Sequence, residues 1–231
     1  MALSDDRRPT TASEALVRRD RVLDAVVKCC DILAGPATWR ELVTPALAVL
    51  GEATAVSRVY VFEAAPQSAG GWLVSQRFEW CADGVVPQLD NPDLQSVDLD
   101  AAGYERWARL MSAGEPICGD IEDFPPSERP LLAEQGILSL LAQPVHVAGR
   151  WWGFIGFDAC ATRQSWQKVE VDVLRVAARV LGATIQQQER DAALRRAQKM
   201  EALGRMAGGH VAVTSAPGAG TEFRVYLPAA A

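Results

Sequence analysis

At 231 residues the chain has room for one ordinary domain with appendages, and 49% hydrophobic against 23% charged residues is the balance of a soluble globular protein. A formal net charge of −6 leaves no basic surplus to neutralise phosphates, which argues against nucleic-acid binding. No window approaches the roughly 18–20 apolar residues that span a bilayer, and the N-terminus lacks a signal-peptide core, so a cytoplasmic protein without membrane insertion is expected.

Residues 1–12 read as a disordered lead-in. From Ser13, a plausible N-cap, to about Leu33, the apolar residues Leu16, Val17, Leu23, Val26, Val27, Cys30 and Leu33 recur near helical spacing, and Gly35 and Pro36 end the run. A second helix is predicted from Thr38 to about Leu50, with Gly51 as its stop. The β-branched and aromatic segments SRVYVFEAA and GWLVSQRFEWCA then flank a Pro/Gly/Ser loop from Pro66 to Gly71 and read as an antiparallel hairpin.

The stretch from Asp83 to Asp100 reads as irregular chain, followed by a short helix near Ala101 to Ser112. The loop GDIEDFPPSERP leads to another short helix around Leu131 to Gln135. A second, very apolar hairpin, ILSLLAQPVHVAG and RWWGFIGFDAC, turns at Gly149. From Ser165, the expected N-cap, to about Ala207 there is no proline, and Leu174, Ala178, Leu181, Ile185 and Gln188 keep 3-and-4 spacing. Such a helix spans roughly 60 Å at 1.5 Å per residue, and its later half, QQQERDAALRRAQKMEAL, is too polar to bury in a monomer. Dimerisation along the Leu174–Gln188 stripe is the expected resolution.

This order of helices, hairpins and a long exit helix resembles the GAF domain of signalling proteins, and SRVYVFE, QRFEWCADGV and WWGFIGFDAC followed by RQSWQKVEVDVLRVAARVLGATI look like a subgroup found in bacterial sensor histidine kinases. The resemblance implies an α+β fold of GAF/PAS-like type over 13–190: a central antiparallel sheet flanked by helices, with a long C-terminal signalling helix and a short terminal β-hairpin. Over 191–208, QKMEALGRMAGG, which ends at Gly209, resembles the start of the dimerising helix of a histidine kinase. Residues 209–231, HVAVTSAPGAGTEFRVYLPAAA after Gly209, resemble the last hairpin of a kinase ATPase domain. In the family the phosphoacceptor and the ATP-binding core separate these pieces, and here they adjoin. The resemblance therefore implies a sensing module of a two-component kinase that lacks the kinase core, with ATP, magnesium and a response regulator belonging to full-length relatives. An active kinase and a ligand-free dimerisation module are the competing readings. A homodimer with an unknown small-molecule ligand is expected.

No catalytic residue is assigned. His210 fits the strand GGHVAV rather than a phosphoacceptor motif, and SAPGAGT reads as a hairpin turn rather than a phosphate cradle, because a strand follows it instead of a helix N-terminus. Five cysteines without a CxxC pair are expected as free thiols, and two distant histidines exclude a His-rich metal site. The Cys-His dipeptide that attaches bilins in phytochrome-type relatives and the N-K-F-D-E signature of cyclic-nucleotide relatives are both absent. Seven tryptophans are many for this length, and Trp80, Trp107, Trp152 and Phe154 are the candidate ligand-pocket residues. Trp151 and Trp152, being adjacent, must face opposite sides of their strand. Glu79 should face away from Phe78 and Trp80 and is expected to be solvated or turned toward a helix.

Overall fold

A computed structural model describes residues 12–68, 70–206, 210–216 and 220–226. The predicted 1–12 lead-in lies outside them except for its last residue. The chain divides into two compact units, up to 185 and from 186 onward.

The first unit opens with α1 (Ala12–Leu33) and α2 (Trp39–Thr54). A capping box starts α2, with the Glu41 carboxylate accepting from the Thr38 backbone N at 2.9 Å. Gly51 does not stop this helix; the Trp80 ring lies 2.0 Å from where a Cβ would stand, so glycine is there for close approach. The helix ends instead at Ala55, whose φ of 54° is left-handed.

The strands β1 (Arg58–Pro66), β2 (Trp72–Cys81), β3 (Val97–Asp98), β4 (Ile117–Asp120), β5 (Ser139–Val147) and β6 (Arg150–Ala159) form one antiparallel sheet of order β3-β2-β1-β6-β5-β4. Both expected hairpins are present. The short strands β3 and β4 fall in stretches that read as loop, because each pairs over only a few residues and carries no alternation of its own. Helix α3 (Glu105–Ser112) and helix α4 (Arg129–Glu134) lie between these strands in sequence. The long α5 (Lys168–Met206) begins three residues after Ser165, where Glu170 Oε2 accepts from the Gln167 N at 3.0 Å.

Two bulges decide the faces of the sheet. In the β1–β2 ladder Val61 pairs with Phe78 and Phe62 with Gln76, leaving Arg77 unmatched. In the β5–β6 ladder Val145 pairs with Gly153 and His146 with Trp151, leaving Trp152 unmatched. An extra residue in one strand inverts the side-chain alternation beyond it.

One face packs on α1, α2 and α5 through a cluster that includes Val22, Val43, Leu47, Leu50, Val61, Leu141, Ile155 and Phe157. Leu174, Ala178, Leu181 and Ile185 are among its fully buried members, so the stripe expected to dimerise is spent inside the domain, while Gln188 is half-buried. The correction has a simple cause: a sheet face of this width needs a third helix, and the most apolar stripe available supplies it. Gly182 allows the approach, since a Cβ there would meet the His146 carbonyl oxygen at 2.3 Å. The other face forms a second core with α3, α4 and their loops.

In the second unit β7 (His210–Ala216) and β8 (Gly220–Tyr226) form the expected hairpin, with His210 paired to Tyr226. Among the described residues no helix is long and apolar enough to cross a membrane.

Candidate functional site

The second core holds an apolar cavity that is half open to solvent. Its floor is the sheet: Tyr60 and Phe62 from β1, Val74 from β2 and Phe154 from β6. Val97 of β3 extends the floor, and the roof comes from Leu94 and Leu99 before α3, Tyr104 and Trp107 at α3, and Leu131, Leu132, Gln135 and Ile137 around α4. The void is about 50 Å³, room for a few waters, since one needs about 10–15 Å³ of such space. Phe62 and Phe154 stack at 4.9 Å and 5°, and the edge of Trp107 meets Phe154 at 5.8 Å. Such pairs add about 0.5–1.5 kcal/mol each beyond simple burial.

Two ionic clusters hold floor and roof. Beside the floor, on the same sheet face, Asp158 is fully buried and accepts from Arg58 Nη2 at 3.2 Å and from the Tyr60 hydroxyl at 2.8 Å. Arg58, 2% exposed, also donates to the Gln135 carbonyl at 3.1 Å, tying the sheet to the residue after α4. Burial raises the Asp158 carboxyl to about 6 against the opposing pull of the Arg58 charge. Burial likewise keeps the Tyr60 phenol well above its ordinary value, so it remains a donor.

In the roof, Glu128 is 1% exposed and accepts from Arg106 at 2.6 and 2.9 Å and from Trp107 Nε1 at 2.8 Å. Its backbone carbonyl accepts from the Tyr104 hydroxyl at 2.7 Å. One residue from the α4 approach thus anchors Arg106 and Trp107 of α3 and the cap residue Tyr104. Neither Glu128 nor Asp158 stands out in sequence, since each is a lone carboxylate whose cation lies 22 or 100 positions away.

Of the four candidate pocket residues, Trp107 and Phe154 line the cavity together. Trp80 and Trp152 stand on the helix-facing side, where Trp152 meets Trp39 edge-on at 5.5 Å. The bulges at Arg77 and Trp152 are the reason: without them Trp80 would share the side of Val74, and Trp152 that of Phe154. Trp151 and Trp152 do face opposite sides, Trp151 packing edge-on against Trp72 on the cavity face.

Glu79 faces away from Phe78 and Trp80 as expected, but it is neither solvated nor turned to a helix. Its Oε2 accepts from the backbone N of Gln88 and Leu89 at 2.8 and 3.0 Å, pinning the loop that leads to Leu94. All five cysteines are free. Burial pushes the half-buried Cys81 thiol up to about 11, so it is not a ready nucleophile at neutral pH. Among the described residues no group of three His, Cys, Asp or Glu is placed to hold a metal.

A curled antiparallel sheet with helices on one face and a roofed apolar cavity on the other defines the class of small pocket-bearing α+β domains. Within that class the chain belongs to the GAF domain family, whose pattern it matches over residues 38–185. It is 40% identical over 172 residues to the methanogenesis regulatory histidine kinase FilI of Methanothrix harundinacea (strain 6Ac), a match covering 74% of this chain and 19% of that protein. It is 24% identical over 143 residues to an uncharacterized protein of Azorhizobium caulinodans, covering 60% of this chain and 19% of that protein. The chain therefore spans about a fifth of the length of these relatives. Similar solved folds include the GAF3 domain of Slr1393 from Synechocystis sp. PCC6803, with TM-score 0.57, 22% identity, and 67% of this chain and 98% of that one covered. A phycocyanobilin-bound GAF domain from a cyanobacterial phytochrome has TM-score 0.58 at 13% identity, covering 75% of this chain and 96% of that one.

Proposed function

We propose that this chain is the signal-sensing GAF module of a histidine-kinase-type regulator, taking a small molecule between its sheet and the α3–α4 roof. The observation that carries the proposal is the two-sided use of β6. Phe154 lines the cavity, while Ile155 and Phe157 of the same strand pack in the cluster that seats Leu174 and Leu181 of α5. A ligand that pushes Phe154 acts on the strand against which the exit helix rests, and a helix with two packing positions converts that push into a signal. The relationship to part of a regulatory histidine kinase supports the reading.

In this proposal the sensor works as a homodimer, but not through the Leu174 stripe. Exposed apolar residues lie instead at Leu16, Leu23 and Val27 of α1 and at Val169 and Val176 of α5. Residues 16, 23 and 27 follow heptad spacing, with Arg19 and Asp24 placed to pair between two parallel copies.

Phosphoryl transfer is assigned to full-length relatives that carry ATP, magnesium and a response regulator. Here QKMEALGRMAGG runs directly into HVAVTSAPGAGT, and His210 begins a strand. Native mass spectrometry of the chain purified from its host, followed by Trp-fluorescence titration with any ligand found, tests sensing. A ligand-free mass together with no Tm response to a metabolite panel favours the bare dimerisation module. Acid-labile phosphate on His210 after incubation with labelled ATP refutes the inactive assignment.

A further inference from the structure

Taking the sensing reading above as its basis, we infer that the cavity accepts a small, uncharged, apolar ligand of about one aromatic ring and rejects anions of the same shape. The lining carries no charged side chain. Each of its polar side chains already donates a hydrogen bond elsewhere. The Tyr60 hydroxyl donates to Asp158, the Tyr104 hydroxyl to the Glu128 carbonyl, Trp107 Nε1 to the Glu128 carboxylate, and Gln135 Nε2 to the Leu131 carbonyl at 2.9 Å.

The two cations that brace the cavity are each paired with a carboxylate. Arg58 is matched by Asp158 beside the floor, and Arg106 by Glu128 in the roof. Arg58 Nε has no hydrogen-bond partner, but Arg58 is not part of the lining. A carboxylate entering here would leave water without gaining a counter-charge, and an unpaired buried charge is strongly disfavoured. A neutral ring loses almost nothing on leaving water and gains contact with Phe62, Phe154 and Trp107.

Size points the same way. A void of about 50 Å³ must widen even for one ring, since a pocket for benzene measures roughly 150 Å³. The side chains that can yield are roof leucines, Leu94, Leu131 and Leu132, rather than the cross-braced floor.

The probes are nitrobenzene and benzoate, which share one shape and differ in charge, with indole as a second neutral ring. The readout is the indole N–H resonance of Trp107 in the full chain at pH 8, where benzoate is fully ionised. Nitrobenzene and indole are expected to shift that resonance saturably and leave those of Trp80 and Trp152 unmoved, with benzoate at least ten-fold weaker. Leu132→Trp, which fills the void from the roof, should abolish the shift; should that variant misfold, Val74→Ile is the milder filling change and should weaken binding several-fold. Benzoate binding as tightly as nitrobenzene at Trp107 overturns the inference and leaves the sensing proposal standing. No Trp107 shift with any probe up to its solubility overturns the inference and, joined to a ligand-free native mass, the sensing proposal as well.

Discussion

Leu174 and Val176 are two residues apart on α5, and the structure gives them opposite fates: Leu174 is 0% exposed in the sheet-facing cluster and Val176 is 45% exposed. Leu174→Ala removes three carbons from a closed site. Leucine truncations in cores cost about 3–5 kcal/mol, the spread reflecting how far the cavity collapses. A packed helix on a rigid sheet collapses little, which favours the upper half of that range. A loss of about 4 kcal/mol lowers Tm by roughly 8–16 °C in a domain of this size. Val176→Ala gives up a half-exposed side chain and gains helix propensity, so its effect should stay within about 0.5 kcal/mol. Urea unfolding followed by far-UV circular dichroism, with sedimentation at two concentrations, measures both consequences. If Leu174→Ala left the midpoint unchanged and instead dissociated a dimer, the stripe would be a contact between copies, and its assignment to the domain core would be wrong.

Four further outcomes are expected. Gly182→Ala must push α5 off the His146 carbonyl, and because backbone cannot step aside, a loss of about 1–3 kcal/mol is predicted from thermal unfolding. Glu79→Ala should leave global stability nearly unchanged while the Gln88 and Leu89 amides, no longer held, exchange at least ten-fold faster with deuterium. The double change Leu23→Glu and Val27→Glu should turn the proposed dimer into a monomer in sedimentation without lowering the monomer's Tm by more than a few degrees; an unchanged mass rules out that surface. Because burial raises the folded Asp158 carboxyl to about 6, above its usual value near 4, its stabilising share is complete below about pH 4 and lost as pH rises through 6. The stability difference between the parent and Asp158→Asn should therefore shift against the parent across that window and flatten above it, as read by urea midpoints at successive pH values.

Much of the architecture is legible from local pattern. Helical spacing in α1 and α2, β-branched and aromatic runs around Gly149, and the uninterrupted stretch of α5 identify the main elements, because each is specified by residues close together in sequence. Two of the four candidate pocket residues are legible for the same reason: Trp107 lies on the short helix expected near Ala101 to Ser112 and Phe154 in the strand expected after Gly149.

What only the tertiary structure decided is which side each residue faces and what it meets there. Alternation is a rule of period two, and one unmatched residue at Arg77 or Trp152 reverses everything beyond it, so Trp80 and Trp152 passed to the helix side. The strands β3 and β4 exist because Leu73, Val74 and residues 139–142 offer free edges, not because Val97 or Ile117 announces a strand. The stripe of Leu174, Ala178, Leu181 and Ile185 states that α5 must bury a face, but a stripe reads the same whether a sheet or a second chain covers it. The ionic braces of the cavity are the furthest from sequence. Arg58 finds Asp158 across 100 positions, where no short-range pattern carries information, and only the completed sheet brings the two charges together and turns the cavity they support into an uncharged one.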